Sequence, residues 1–235
     1  MYQMKLWGML LAFMLTLSTL HAEEKRYQVR SGMVEYALSS SGNMMGMQTK
    51  IEGKSKMLFK EWGNVELRDD TTTSVIMGRE EHTRQTTKID HGKVYIVDYE
   101  QKAIIEYDPA ALQQSMYKDL AKSAQEMMLS KGGTKTGEEK IKGYECEVWE
   151  TPQMKLWLHK GIMLRSEVKV MGIVHTTEAT AVHLDRAVSD EALQLPDFPI
   201  RTMEEHRKND HGDMPQMTPE QIQQMQEIMK NFTQK

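Results

Sequence analysis

The chain is predicted to be mainly β with α+β character: one antiparallel sheet whose apolar face is covered by an amphipathic helix. Three observations carry this. Apolar and polar residues alternate with period two through 27–107 and again through 143–184, and Gly, Asn and Asp punctuate the runs. One helical periodicity interrupts them, with Leu112, Met116, Leu120, Ala124 and Met127 on one face behind an Asp108-Pro109 start. The clearest run, 143–170, reads as three consecutive strands with one wet and one buried side.

In chain order, the first 22 residues stand apart. Lys5 precedes an apolar run over 6–20, which ends in Leu20-His21-Ala22 before the charged Glu23-Glu24-Lys25-Arg26. This is the pattern of a secretory signal peptide cleaved after Ala22. A membrane anchor is the alternative, but the run is short for a span of about 20 residues and no basic cluster bounds it. No Cys follows the run, which argues against a lipid-anchored N-terminus. The exported chain should not span a membrane.

Strands are expected at 33–38, at 44–51, from Met57, at 64–68 and at 72–77. Ser39 to Asn43 should break the first of these, and Glu52-Gly53-Lys54 should turn the second. Thr86 to Asp90, Lys93 to Asp98 and Ala103 to Tyr107 form a clearer meander, with His91-Gly92 at its first turn. The helix that opens at Pro109 should continue until Lys131-Gly132-Gly133 stops it. In the next stretch, Tyr144, Cys146 and Val148, then Met154, Leu156 and Leu158, then Ile162, Leu164, Val168 and Val170 occupy the apolar face. Glu145, Glu147, Lys155, Arg165, Glu167 and Lys169 lie opposite, and Trp149 and Trp157 are placed on that polar side. A strand at 173–184 and a helical turn at 189–194 complete a domain of residues 23–201. Residues 202–217 are polar and read as a flexible linker. Residues 218–235 read as a short amphipathic helix behind a capping box at Thr218, suited to docking on an envelope protein.

Without Lys5, 29 basic and 34 acidic side chains remain, a net charge of −5, which argues against nucleic acid as a partner. The single cysteine, Cys146, cannot form an internal bridge. It reads as a buried wall residue, with intermolecular pairing or a reactive thiol as alternatives. No acid/base pair can be assigned: Asp69-Asp70 and Glu80-Glu81 are sequence neighbours that point to opposite faces of a strand. His82, His91, His159, His175 and His183 are scattered. No enzymatic signature and no cofactor site emerge. Methionine is frequent, 21 in all, which suits either ordinary core filling or an adaptable apolar cavity. Met203, His206, His211, Met214 and Met217 offer soft-metal ligands suited to Cu(I), at a spacing that matches no established metal motif.

Two stretches carry a family resemblance. Ile141-Lys142-Gly143-Tyr144-Glu145-Cys146, followed by Lys155-Leu156-Trp157-Leu158-His159-Lys160-Gly161-Ile162, resembles the LolA/LolB-like lipoprotein-carrier superfamily, in particular its periplasmic branch related to the DUF4412 proteins. Ile89-Asp90-His91-Gly92-Lys93-Val94-Tyr95-Ile96-Val97-Asp98 resembles the same group. The resemblance covers 27–200. It implies a periplasmic protein with a strongly curved antiparallel sheet, a LolA-like half-barrel lidded by the helix around a cavity that takes lipid, lipoprotein acyl chains or another apolar small molecule. The cavity candidates are then Val34, Tyr36, Met57, Phe59, Tyr144, Cys146, Leu156, Leu158 and Leu164 on the wall, with Met116 and Leu120 on the lid. The functional arginine of the carriers matches no position here.

Overall fold

The computed structural model describes residues 25–44, 47–76, 79–113, 115, 119–120, 122–170 and 172–210. The expected signal peptide (1–22), the expected C-terminal helix (218–235), Met116, His211, Met214 and Met217 lie outside these residues.

The architecture is one large, curved, unclosed sheet of twelve strands with few helices. In chain order they are β1 (Gly32–Met44), β2 (Met47–Lys60), β3 (Val65–Ile76), β4 (Arg79–Asp90), β5 (Lys93–Asp98), β6 (Ala103–Tyr107), β7 (Thr134–Ile141), β8 (Tyr144–Glu150), β9 (Met154–His159), β10 (Ile162–Val170), β11 (Ile173–Leu184) and β12 (Ile200–Thr202). Their order across the sheet is β12-β6-β5-β4-β3-β2-β1-β11-β10-β9-β8-β7. All ladders are antiparallel except that of β12 on β6, which is parallel. One cluster of buried side chains joins Met57 and Phe59 of β2 to Cys146 and Val148 of β8 and Ile141 of β7. Five ladder spacings separate β2 from β8, roughly 24 Å in a flat sheet. The two share a core only because the sheet curls into a half-barrel.

Several element boundaries differ from the sequence expectation. Ser39 to Asn43 does not break β1: Ser39, Ser40, Ser41 and Gly42 stay paired to β2 on one side and β11 on the other. Gly53 does not turn the chain; it pairs with Leu38 and Thr72 in the middle of β2. The two strands expected over 64–77 are one strand, β3. In each case a flanking strand on both sides satisfies the backbone, and this outweighs the weak local propensity of Ser and Gly. Strand β7 was not expected at all. It is a charged edge strand, exposed everywhere but at Ile141, so it shows no hydrophobic period.

The expected single helix over 109–131 is two: α1 (Pro109–Gln113) and α2 (Ala124–Ser130). Ser123 restarts the helix with a reciprocal capping box. Its hydroxyl accepts from the Glu126 amide at 3.2 Å, and the Glu126 carboxylate accepts from the Ser123 amide at 2.8 Å. Ser123→Ala should destabilise α2 by about 1 kcal/mol. Faster amide exchange confined to 124–130 would register it, and unchanged exchange there would contradict it. A third helix, α3 (Met203–Asp210), occupies the first half of what the sequence suggested was a linker, because Met203 anchors it on the β4–β6 cluster.

Two straps cover the sheet. The N-terminal strap crosses from the 3-10 turn at Glu61–Gly63 to the β9–β10 turn, with the Tyr27 amide donating to the Trp62 carbonyl at 2.9 Å and the Gln28 amide to the Lys160 carbonyl at 3.0 Å. It lies so close that a Cβ at Gly63 would meet the Tyr27 ring at 2.6 Å and one at Gly161 the Arg26 carbonyl at 2.9 Å; both glycines also have positive φ. The second strap packs Val188, Leu193 and Leu195 on Leu58, Val65 and Leu67.

Candidate functional site

The side chains of β2 and β3 that share one face bring a charged cluster into the core. Ladder register sets Glu66 opposite Phe59, Arg68 opposite Met57 and Asp70 opposite Ser55. Residues two apart on a strand face the same way, so the three charges line up behind the apolar residues of β2. Glu66 accepts from the Tyr27 hydroxyl at 2.5 Å and from Arg26 Nη1 at 3.0 Å. Arg26 Nη1 also donates to the Gly63 carbonyl at 2.8 Å, and Nη2 donates to the Leu120 carbonyl at 3.3 Å. Arg68 is served differently. Its Nη2 donates to the Met57 thioether at 3.4 Å, and its guanidinium carbon lies 5.7 Å from the centre of the Tyr36 ring. The Tyr36 hydroxyl donates to the Met163 carbonyl at 2.9 Å.

Burial and charge act against each other here. Burial alone would raise the Glu66 carboxyl, but the adjacent Arg26 and Arg68 cations, with hydrogen bonds from Tyr27 and Arg26, hold it below the ordinary carboxylate range. Burial, reinforced by Glu66, pushes the Tyr27 and Tyr36 phenols upward. Burial disfavours the charge on Arg68, yet Glu66 leads a set of neighbours that raises its affinity for the proton. At neutral pH Glu66 is therefore a carboxylate among two guanidinium ions and two protonated phenols. Donors outnumber strong acceptors. The cluster contains no activated nucleophile, and its groups suit electrostatic binding of an oxyanion rather than proton transfer.

The second feature lies under α2. Met128, Trp149, Leu156 and Leu158 form a buried cluster edged by Ala124, Met127, Met154 and Met163. The arm that carries α1 and α2 runs from β6, where Leu112 packs with Ile105 and Tyr107, past Arg26 at Leu120, to this patch on β8–β9. Beside α2 a pocket of about 230 Å³ is lined by Gln28, Gln125, Glu145, Glu147, Leu158 and His159.

The cavity candidates divide between these regions. Val34, Tyr36, Met57, Phe59, Cys146 and Leu164 are buried together in the largest cluster, with Tyr144 packed against it. Leu156 and Leu158 belong instead to the patch under α2, so they do not share the face of Cys146 as expected. Trp149 and Trp157 are not on a wet face either. Trp149 packs under α2, Trp157 joins the largest cluster, and both are buried. The hairpin pairs Trp149 with Leu156 and Val148 with Trp157. Because Leu156, Trp157 and Leu158 are all buried, period-two parity cannot say which face is which; cross-strand register does. Leu120 is 36% exposed and contributes its carbonyl to Arg26. Cys146 is buried and free, and burial pushes its thiol up to about 11. It should therefore resist a thiol reagent at pH 8 in the native protein and react fully once urea unfolds the chain; fast native labelling would contradict this.

Sequence reading missed the charged cluster. The signal was present, since Glu66, Arg68 and Asp70 alternate with Val65 and Leu67, but that alternation normally marks a wet face. In this strand Val65 and Leu67 pack under the second strap while Glu66 is buried on the other side. Of the soft-metal candidates, Met203 is spent on packing and His206 lies on α3. Among the described residues no group of three His, Cys, Asp or Glu side chains is placed to hold a metal ion, and no helix is long and apolar enough to cross a membrane.

The family described as "Domain of unknown function (DUF4412)" matches residues 31–232. No curated protein matches the chain. Among solved structures it is similar to an uncharacterized conserved protein from Thermus thermophilus, with 8% identity, a TM-score of 0.39, and coverage of 72% of this chain and 90% of that one. It is also similar to a LolA superfamily protein from Nitrosomonas europaea, with 12% identity, a TM-score of 0.35, and coverage of 74% and 94%. A third is a putative outer membrane lipoprotein-sorting protein domain from Vibrio parahaemolyticus, with 10% identity, a TM-score of 0.34, and coverage of 74% and 93%. The family match takes in every strand of the sheet, and the chain belongs to the DUF4412 family.

Proposed function

We propose that this is a non-catalytic binding protein of the periplasm, exported by its N-terminal leader, that holds a lipid, an acyl chain or another apolar ligand inside the half-barrel. The observation that carries the reading is the apolar inner wall, which runs from Met57 and Phe59 of β2 to Cys146 and Val148 of β8. On the opposite face of the same strands, α2 has only seven residues, far too few to persist alone, so it depends on its seat of Trp149, Leu156 and Leu158. That seat is edged by Met127, Met154 and Met163, and Met128 fills it from the helix. Unbranched thioether side chains repack around varied apolar shapes, and a marginal helix can lift from them at small cost. The unclosed sheet supports the same reading, because both of its edges leave the inner wall reachable without unfolding a barrel.

Native mass spectrometry of the mature chain purified from its own envelope should show added lipid mass that is released on denaturation. A clean mass, together with no uptake of a fluorescent fatty acid, would remove this reading.

A further inference from the structure

We propose that Arg68 is the recognition residue for an oxyanion at the head of the ligand, so that the ligand is an anionic amphiphile rather than a wholly apolar molecule. This rests on the reading above. Arg68 is half-buried beside the core cluster, and its one hydrogen bond among the described residues is to the Met57 thioether, a weak acceptor. It makes no ion pair within 4.0 Å among those residues, although Glu66 and Asp70 flank it on the same face of β3. Glu66 is spent on Arg26 and Tyr27. Among the described residues Arg68 Nε has no partner, and neither do Asp70 Oδ1 and Ser55 Oγ on the same face. A guanidinium presents five donors in a planar fork. A carboxylate or phosphate oxygen pair would fill that fork, and the Ser55 hydroxyl could donate to the same group.

The surroundings fit an amphiphile. Tyr36 and Met57 border the guanidinium and belong to the largest apolar cluster, where Leu38 is half-buried. A charged head at Arg68 thus has hydrocarbon wall beside it.

The test compares matched pairs of probes on the mature chain: a fluorescent fatty acid against its methyl ester, and phosphatidylglycerol against the diacylglycerol of the same chains. In wild type the anion of at least one pair should bind about tenfold or more tighter than its neutral twin, the worth of a buried charge-assisted hydrogen bond. The pair that discriminates tells carboxylate from phosphate. Arg68→Met should abolish the discrimination and leave binding of the neutral probe within about twofold, while Arg68→Lys should retain part of it. Equal binding of anion and neutral twin in both wild-type pairs overturns this inference and leaves the apolar-ligand reading standing. No binding of any probe overturns both. Discrimination that survives Arg68→Met places the head elsewhere and also overturns it. The wild-type comparison decides whether the ligand is anionic even if Arg68→Met fails to fold, and Arg68→Lys then tests the residue: discrimination unchanged from wild type in that variant overturns the assignment to Arg68.

Discussion

Glu66→Gln is expected to lower the free energy of unfolding by about 3–5 kcal/mol, the usual consequence of removing one member of a buried ion pair. Glutamine keeps the shape and can still accept from the Tyr27 hydroxyl. It removes the one carboxylate that compensates Arg26 directly and Arg68 at longer range. The Arg26 and Arg68 cations would then repel each other with their shared carboxylate gone. The pH dependence follows from the depressed carboxyl. Because the folded state holds Glu66 below its ordinary value of 4.5, its contribution is fully present above that value and is lost as pH falls through the folded one. Wild type should therefore weaken in acid more steeply than Glu66→Gln, and the gap between them should narrow. Urea titrations at pH 7 and in the acid range measure both effects. A variant within 1 kcal/mol of wild type at pH 7 would show that the cluster is not electrostatically coupled.

Phe59→Ala should cost a similar amount, about 3–5 kcal/mol, by a different route. The ring is fully buried, packs edge-on against Tyr27 with centroids 4.9 Å apart, and sits against Gly32 on the neighbouring strand. Truncation opens a cavity at the junction of β1, β2 and the N-terminal strap, where neither strand can collapse because each is held in ladders on both sides. Phe59→Leu should recover much of the loss. Tyr27 touches both Phe59 and Glu66, so the double variant should fall short of the sum of the single losses. Full additivity would mean that the strap does not couple the apolar core to the charged cluster.

The parts of the fold legible in sequence were runs bounded by clear turns, most of them with one wet face. The meander from Thr86 to Tyr107 and the three strands from Tyr144 to Val170 showed their period, and the structure has strands there. The signal failed where both faces are buried or both exposed. At Leu156, Trp157 and Leu158 the expected faces were reversed, because all three are buried and alternation does not tell one buried face from the other. Along Thr134 to Lys140 there was no apolar period to read. In β3 Glu66, a charge of the kind that usually marks solvent, is buried. The candidate site suffered most, because Arg26, Tyr27, Glu66 and Arg68 come from segments some forty residues apart and only the strap brings them together.

Sequence by itself determined the class of protein: a leader-like start, alternating strands, one helical interruption, and an excess of methionine over aromatic residues. These are local properties, set by side-chain periodicity and turn chemistry. Tertiary structure decided where the charge goes. A strand's alternation records only that its two faces differ, not which face lies inside a curled sheet. That choice depends on ladder register with β2 and on the strap carrying Arg26 and Tyr27, and it put Glu66 inside the core with Arg68 half-buried beside it.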